Sequence, residues 1–590
     1  MCTHDADAGR HAGDDPVPHR NCSRAERPVL REIADDRSVS QTFVRYFIKL
    51  PGGLGFQFCV APQYNAHMKL PSRFTSLVVC VSEIKDAIPP ICPRSRLTYR
   101  VLASARAIAP GLQTSAAILL LMCLMWPGVV KGQHWSLEDT LVITDVNVVD
   151  VRTGEVRSDQ IVIIERNKIT MVGPRKETRY PRNASTVNAK SGYLIPGLWD
   201  MHVHLAFGDW FPNAEQISLP LFIANGVTGV RDMGSELDVV QNWRNSIESG
   251  SLIGPRIVTA GPMLDGEKTP FPSVIVIKTP EDGRRAVEEL KKRGADFIKL
   301  QSLIPKDAVQ AIVEESKKEE IAFEGHVPDA VTAESMSNDG MRSFEHLIGI
   351  FEGSSPLESE FLKGGKTEAK FLGSYEEERA EKLAAVLAKN QTWQCPTLVW
   401  ERGGNLIDTM DFGKDPRGKY VPSDWKDRAW KAETAAVEKN FGTDDLATRK
   451  AFVAKELEVV LMMKKAGVPF LAGTDTPPAV YVLPGFGLHE EMRRFVDAGF
   501  TPLEALQTAT INPAKFLGME EVQGTVEKGK YADLVLLDAN PLTDIGNTQK
   551  IAAVIFNGRY FSRGELAKML AEVEEIAKKE PVRPESGKLF

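Results

Sequence analysis

The chain has 590 residues, of which 43% are hydrophobic and 26% charged, and it carries a net charge of −7. This length allows two or more domains, or one large barrel with additions, and the composition is typical of a folded globular protein. The acidic balance, without a dominant basic block, argues against nucleic acid as a partner.

Residues 1–111 show no sustained hydrophobic period of 3.6 or 2, and six of the seven cysteines lie before residue 124. This segment fits a small extra domain, a disordered arm, or sequence translated upstream of the true start. We favour the last interpretation, in which residues 1–111 are an N-terminal extension outside the folded protein. Only Cys395 lies in the main body, so that body needs no internal disulfide.

Residues 112–132 resemble a secretory signal peptide. Several arginines between residues 94 and 106 precede an apolar run from Ala116 to Trp126, and small residues follow as far as Gly132. The run is too short to span a bilayer comfortably, which predicts a mature protein without a stable membrane span. We therefore expect export, periplasmic or secreted, with a mature chain beginning near Gln133. A buried core helix or a membrane anchor is the alternative, and the protein stays cytoplasmic if the segment is not used as a signal.

Short alternating strands are predicted at both ends of the main body. Residues 140–190 are expected to form the first part of a small β-sandwich domain and residues 520–562 the second part. Residues 563–590 are expected to form a C-terminal helix and a tail.

The centre, residues 191–515, alternates predicted strands with amphipathic helices. Eight strands are expected at residues 194–199, 227–231, 256–260, 296–300, 322–325, 343–345, 392–399 and 469–472. Eight alternating units indicate an α/β protein with a (β/α)8 TIM-like barrel. A helical insertion at about residues 402–460 is expected to build part of the pocket rim.

Two histidines, His202 and His204, stand one residue apart at the end of the first barrel strand. Side chains at i and i+2 of a strand point to the same side, so both imidazoles can reach one metal ion. Further polar side chains stand at the ends of other barrel strands: Lys299, His326, His346 and Asp475. Each alone suits an ion pair, a core histidine or a helix cap. Together they predict a metal site, because the strand ends of such a barrel meet at one mouth.

These motifs resemble the amidohydrolase superfamily over roughly residues 140–562, in particular its imidazolonepropionase-like and Xaa-Pro dipeptidase-like branches. The resemblance rests on Pro196 to His204, on the sequences around the other four residues, and on the closing stretch from Gly524 to Val535. It implies two divalent metal ions, of which Zn2+ suits imidazole and carboxylate donors best. One ion would take His202, His204 and Asp475, the other would take His326 and His346, and carbamylated Lys299 would bridge them. A single ion is expected if Lys299 is unmodified.

The resemblance further implies hydrolysis of an amide bond, in a dipeptide or an N-acyl amino acid, by a metal-bridging hydroxide. Asp475 would accept the proton of that hydroxide and pass it to the leaving nitrogen. A cyclic-amide hydrolase of the imidazolonepropionase type is the alternative. A catalytically inactive interaction protein on the same barrel is a third, and the presence of all six donors argues against it. Self-association is common in the resembled family, although no stretch specifies a homo-oligomer interface.

Four further residues lie close to the predicted mouth in sequence. His489 is expected either to bind substrate or to cap its helix. Asp232 is expected to be structural. Arg493 and Arg494 suit either a substrate carboxylate or a solvated helix face.

Overall fold

The computed structural model describes residues 44–49, 55–60 and 140–579. The chain divides into two compact units, residues 1–127 and 128–590. In the first unit, strand β1 (Val44–Lys49) pairs antiparallel with β2 (Gly55–Val60). The predicted signal segment 112–132, the predicted start near Gln133 and the end of the C-terminal tail lie outside the described residues. Within the described residues, no helix combines the length and the apolar character needed to cross a membrane.

The second unit contains strands β3 to β19. Their bounds are, in order, Thr140–Val149, Val156–Glu165, Lys168–Pro174, Ser185–Asn188, Tyr193–Pro196, Leu198–Val203, Val227–Asp232, Arg256–Thr259, Met263–Asp265, Val274–Val276, Ile298–Leu300, Phe323–Gly325, Ser343–Glu345, Trp393–Cys395, Leu534–Leu537, Ile551–Phe556 and Arg559–Ser562.

Sixteen α-helices, α1 to α16, are found among the described residues. Their bounds are, in order, Ala214–Ala224, Leu237–Glu248, Pro280–Arg293, Lys306–Lys318, Ala333–Asn338, Ile350–Gly353, Glu358–Phe361, Glu368–Ser374, Glu377–Asn390, Leu398–Leu406, Lys431–Asn440, Leu446–Lys465, Phe486–Asp497, Pro502–Thr508, Ile511–Phe516 and Arg563–Lys579. A π-helix spans Trp425–Trp430, and 3₁₀ turns span Ile407–Thr409, Phe412–Lys414, Pro416–Tyr420 and Ile545–Gln549.

One mostly antiparallel sheet joins strands from both ends of the second unit. Its order is β19-β18-β17-β7-β3-β4-β5, and β6 pairs with β3. Strand β7 lies antiparallel to β17, with Ile195 opposite Val535. Buried Ile143, Ile164 and Ile555 belong to the core of this sheet. The two segments predicted to build a small β-domain therefore share one sheet.

The parallel strands form two sheets, β10-β9-β8 and β12-β11-β13-β14-β15-β16. Eight regular strands in one closed ring were expected, and the structure departs from this expectation at two of them. Residues 469–472 are not a regular strand, yet the backbone N–H of Leu471 donates to Gln394 and that of Met201 donates to Ala472. The predicted strand 392–399 ends at Cys395, because helix α10 begins at Leu398. Short strands β11 and β12 were not predicted.

Helix α3 shows how local sequence determines an element between two parallel strands. Thr279 and Asp282 form a capping box at its start, Pro280 occupies the first turn, and Gly294 ends it with φ 83°. Its buried face includes Val287 and Leu290, which belong to the same core as strand β13 residue Ile298. Capping and an apolar stripe together explain why these residues form a helix.

Gly197 separates strand β7 from strand β8, so the antiparallel sheet and the parallel sheet are joined by a single residue. A Cβ atom at this position would lie 2.0 Å from the hydroxyl of Thr228. The predicted strand 194–199 is therefore two strands, and the second continues through His202.

Candidate metal centre

The six predicted ligands stand at the carboxyl ends of the parallel strands. His202 lies in β8 and His204 follows it, Lys299 lies in β13, His326 follows β14 and His346 follows β15. Asp475 follows the segment that bridges β16 and β8. Because these strands are parallel, their ends meet at one edge, and the side chains are brought together there.

His202, His204 and Asp475 form the tightest group. The Nε2 atoms of His204 and His202 lie 3.1 Å and 3.4 Å from Oδ1 of Asp475. One ligand atom from each of the three residues lies within 4.8 Å of the others, which is compact enough to hold a metal ion.

His346 connects this group to the second pair of histidines. Its ring centroid lies 4.6 Å from that of His202 and 5.0 Å from that of His326. The positive charge of Lys299 acts on His202, His326 and His346. All six predicted ligands therefore belong to one cluster.

The Nδ1 atom of each of the four histidines is held by a hydrogen-bond partner. The partners are Glu345 for His202 at 2.8 Å, the backbone carbonyl of Gly234 for His204 at 2.9 Å, Ser302 for His326 at 3.0 Å, and Thr397 for His346 at 2.6 Å. Engagement of Nδ1 leaves Nε2 as the ring nitrogen that could bind a metal ion on each histidine. Such outer partners commonly fix the tautomer and orientation of metal-binding histidines.

Burial favours the neutral form of three of these imidazoles. It lowers the pKa of His202, His326 and His346 well below the ordinary value, and the charge of Lys299 adds to the effect. A neutral imidazole has the free lone pair that a metal requires.

Lys299 is fully buried, and its Nζ atom has no hydrogen-bond partner. Burial, together with the charge of Arg231 and against the opposing charges of Glu345 and Asp475, lowers its pKa to about 8. An unpaired buried ammonium is costly. The amine is therefore suited to a neutral or a chemically modified state.

A buried ionic layer lies beneath the histidines. Arg231 donates to both carboxylate oxygens of Glu345, at 2.9 Å and 3.0 Å, and to Glu324 at 2.7 Å. All three side chains are at most 1% exposed. The sequence analysis missed this layer, although the chain carries a usable signal: Glu345 directly precedes His346, and Glu324 stands two residues before His326.

Two of the predicted ligand residues have left-handed backbone conformations. The φ angle is 59° at His346 and 60° at Asp475. Such conformations are costly for residues other than glycine, and they concentrate at functional sites, where surrounding structure maintains them.

His489 does not join the cluster. It is 2% exposed, its Nδ1 bonds to Thr548 at 2.9 Å, and its Nε2 bonds to the backbone carbonyl of Asn225 at 3.0 Å. With both ring nitrogens engaged by the protein, its position favours a packing role over the predicted substrate contact. It lies inside helix α13 and not at its start, so the expected helix cap is not formed either.

The other sequence candidates have structural partners. Buried Asp232 accepts hydrogen bonds from the backbone of Leu205 and from the hydroxyls of Ser235 and Thr259, as expected for a structural residue. Arg493 pairs with Asp544, and Arg494 pairs with Asp497.

Aromatic side chains flank the histidines. The Phe207 ring lies 4.6 Å from that of His204, and the Trp400 ring lies 4.7 Å from that of His346. Phe207 is buried, whereas Trp400 is partly exposed. Two aromatic rings therefore stand beside the predicted ligands, as apolar side chains commonly do in small-molecule sites.

Comparison with known proteins places this geometry in context. The model of the Amidohydrolase family matches residues 193–560, which is more than half of the chain. Ochratoxinase from Aspergillus niger is 23% identical over 465 residues, covering 68% of this chain and 82% of that protein. Imidazolonepropionase from Thermoplasma volcanium is 38% identical over 81 residues, covering 14% of this chain and 19% of that protein.

The fold is also found among solved structures. A Xaa-Pro dipeptidase with bound methionine in its active site superposes with a TM-score of 0.54 at 21% identity, covering 72% of this chain and all of that one, 100%. At this identity the likeness concerns the fold alone.

Proposed function

Because this chain belongs to the amidohydrolase family, and is therefore a hydrolase acting on carbon–nitrogen bonds, we propose that it cleaves an amide bond in a dipeptide or an N-acyl amino acid. The observation that carries the proposal is the cluster itself. Four histidines with fixed Nδ1 atoms, one buried amine without a partner and one aspartate converge at the carboxyl ends of parallel strands.

The residues fit two divalent ions, of which zinc suits the donors best. His202, His204 and Asp475 would hold one ion, and His326 and His346 the other. A carbamate on Lys299 would bridge them, and this modification gives the buried nitrogen both an anionic oxygen donor and a partner. When bound, such ions lower the pKa of a coordinated water toward about 7 and polarise the substrate carbonyl. If Lys299 stays unmodified, a single ion is expected.

Asp475 is proposed as the proton carrier of the reaction. Its Oδ1 faces the Nε2 atoms of His202 and His204, so Oδ2 is the oxygen that would take a proton from water and give it to the leaving nitrogen. Phe207 and Trp400 would limit access of bulk water to the reacting groups.

The proposed site also needs a scaffold that holds its residues together. We infer that the two parallel sheets and the segment 469–476 close one (β/α)8 barrel. The hydrogen bond from Gln394 to Pro469 and that from His204 to Thr476 support closure on one side, and the bond from Asp296 to Thr259 supports it on the other. The shared antiparallel sheet would then be the composite β-domain. Export remains a proposal based on the apolar segment 116–126.

A cyclic-amide hydrolase is the second candidate, because an 81-residue stretch is 38% identical to an imidazolonepropionase. Both candidates would use the same donors, and they differ in the substrate that the surrounding loops accept. An inactive interaction protein would need no intact donor set, and the complete set argues against it.

Elemental analysis and substrate screening test the proposal. The purified full chain is incubated with Zn2+ and bicarbonate, unbound metal is removed, and the zinc content is measured. The same protein is then assayed with dipeptides, N-acyl amino acids and cyclic amides. We expect about two zinc ions per chain and hydrolysis of dipeptides or N-acyl amino acids, with at least a 1000-fold loss in Asp475→Asn, since a general acid-base group and a ligand are both removed. The proposal would be overturned if the protein bound no zinc, or if it cleaved cyclic amides but neither dipeptides nor N-acyl amino acids.

A further inference from the structure

The helical insertion, predicted at about residues 402–460, is hydrogen-bonded to the two loops that follow His204 and Asp475. Trp430 Nε1 donates to the carbonyl of Pro477 at 2.8 Å, two residues beyond Asp475. Arg428 donates to the carbonyls of Asp209 and Trp210 at 2.8 Å, in the loop that follows His204. These bonds hold the π-helix Trp425–Trp430 against both loops, so the insertion stands beside the mouth of the site.

Helix α11 (Lys431–Asn440) continues directly from this anchored turn and carries Glu433. Residues three apart lie on the same face of a helix, so Glu433 shares the face of Trp430, whose side chain contacts the loop after Asp475. The Glu433 side chain is half-buried. Its position brings a second carboxylate toward Asp475.

Glu433 has neither a hydrogen bond nor an ion pair with any described residue, unlike Glu490 of the same region, which pairs with Arg402 and Arg417. Burial raises the pKa of Glu433 to about 7, and the negative charge of Asp475 contributes to the rise. A partly buried carboxylate without a cationic partner is costly for the folded protein. Its environment therefore favours binding of a positive charge from outside the chain.

We propose that Glu433 is a specificity residue that binds the free ammonium group of the substrate. The proposal rests on the proposed function and sharpens it: the preferred substrates are amides of amino acids with an unblocked amino group, such as dipeptides, and not N-acyl amino acids. An acyl group at that nitrogen removes the charge and most of the hydrogen-bond donors, and leaves the Glu433 carboxylate buried without a partner.

Paired substrates provide the test. The zinc-loaded full chain is assayed with apolar dipeptides and with their N-acetyl derivatives, in wild type, Glu433→Gln and Glu438→Gln. Glu438 is an exposed acid of the same helix and serves as the matched control. We expect Glu433→Gln to lower kcat/KM about 10- to 100-fold on free dipeptides, mainly through KM, and to leave the N-acetyl derivatives unchanged. Equal losses on both substrates, or a wild-type preference for the N-acetyl form, would overturn the proposal.

A binding measurement separates failure of this proposal from failure of the proposed function. Calorimetric titration of the zinc-loaded proteins with n-butylammonium, and with n-butanol as a neutral control, needs no turnover. We expect the ammonium to bind about 10-fold more weakly to Glu433→Gln than to wild type and Glu438→Gln, with no difference for the alcohol. If wild type hydrolyses neither substrate, the proposed function fails, and the titration alone decides the role of Glu433. Equal binding of the ammonium by all three proteins would exclude it.

Discussion

The Nδ1 atom of His202 lies 2.8 Å from Oε2 of Glu345, and both side chains are at most 1% exposed. The same carboxylate is bound by the guanidinium of Arg231. Arg231 thereby keeps Glu345 in one orientation. Glu345 in turn favours the His202 tautomer that carries its proton on Nδ1, and it orients the ring so that Nε2 faces Asp475.

Glu345→Gln is expected to weaken zinc binding about 10- to 100-fold, because the amide no longer draws the Nδ1 proton of His202 as a carboxylate does. Competition with a chromophoric chelator measures the affinity directly. Glu324→Gln is the matched control, since Glu324 is also buried and also binds Arg231 but has no hydrogen bond to a histidine. Equal affinities for the two variants would contradict the orienting role of Glu345.

Lys299→Met is expected to reduce the zinc content from about two ions to about one, because the bridging group is lost. The metal-free variant is expected to gain about 1–3 kcal/mol of unfolding free energy, since a buried amine without a partner is replaced by an apolar side chain of similar length. Elemental analysis and urea unfolding measure the two effects. Two retained ions would show that Lys299 is not the bridge.

Carbamate formation is expected to depend on pH with a definite sign. Burial lowers the pKa of Lys299 to about 8, so its neutral amine, the form that reacts with CO2, becomes the main species above that pH. Zinc uptake by metal-free protein in bicarbonate is therefore expected to reach two ions faster at pH 9 than at pH 7. Uptake by Lys299→Met, measured alongside, corrects for the pH dependence of the histidine ligands.

A buried acid pair predicts the pH dependence of stability. Glu401 and Glu456 are at most 8% exposed and hydrogen-bond to each other, which requires a shared proton, and burial raises the pKa of both. A raised carboxyl pKa stabilises the fold fully below the ordinary value of 4.5, and the contribution is lost as the pH rises through the folded-state value. Glu456→Gln is therefore expected to flatten the decline in unfolding free energy between pH 5 and pH 9. An unchanged slope in urea unfolding would contradict the shared proton.

Trp430→Phe tests the anchoring of the insertion. The variant keeps an aromatic ring near Tyr481 but leaves the Pro477 carbonyl without its donor. We expect a loss of about 1–3 kcal/mol in unfolding free energy and a higher KM, because the loop after Asp475 is less well held. Trp393→Phe, at the start of strand β16, is the comparison: it is expected to leave KM unchanged.

The sequence alone could predict those features that depend on hydrophobic periodicity and on polar residues that follow apolar strands. The strand at Ser343–Glu345 has the predicted bounds, and His202 and His346 lie where parallel strands end. Both features could be predicted because an apolar run followed by a histidine can be recognised in the sequence itself. The Arg231–Glu345 pair could not be found in this way, since its partners lie 114 positions apart. Glu433 was missed for a similar reason: only the folded insertion brings helix α11 beside the loop after Asp475.

The single residue Gly197 between strands β7 and β8 has a consequence for the order in which the protein matures. Strand β7 pairs with β17, which begins at Leu534, and the sheet continues to Ser562. During synthesis all six proposed ligand residues leave the ribosome before this sheet can be completed. The strand that carries His202 therefore lacks its support at one end until the last strands have emerged. We therefore expect the proposed ligands to become ordered late, after the last strands of the sheet have been synthesised.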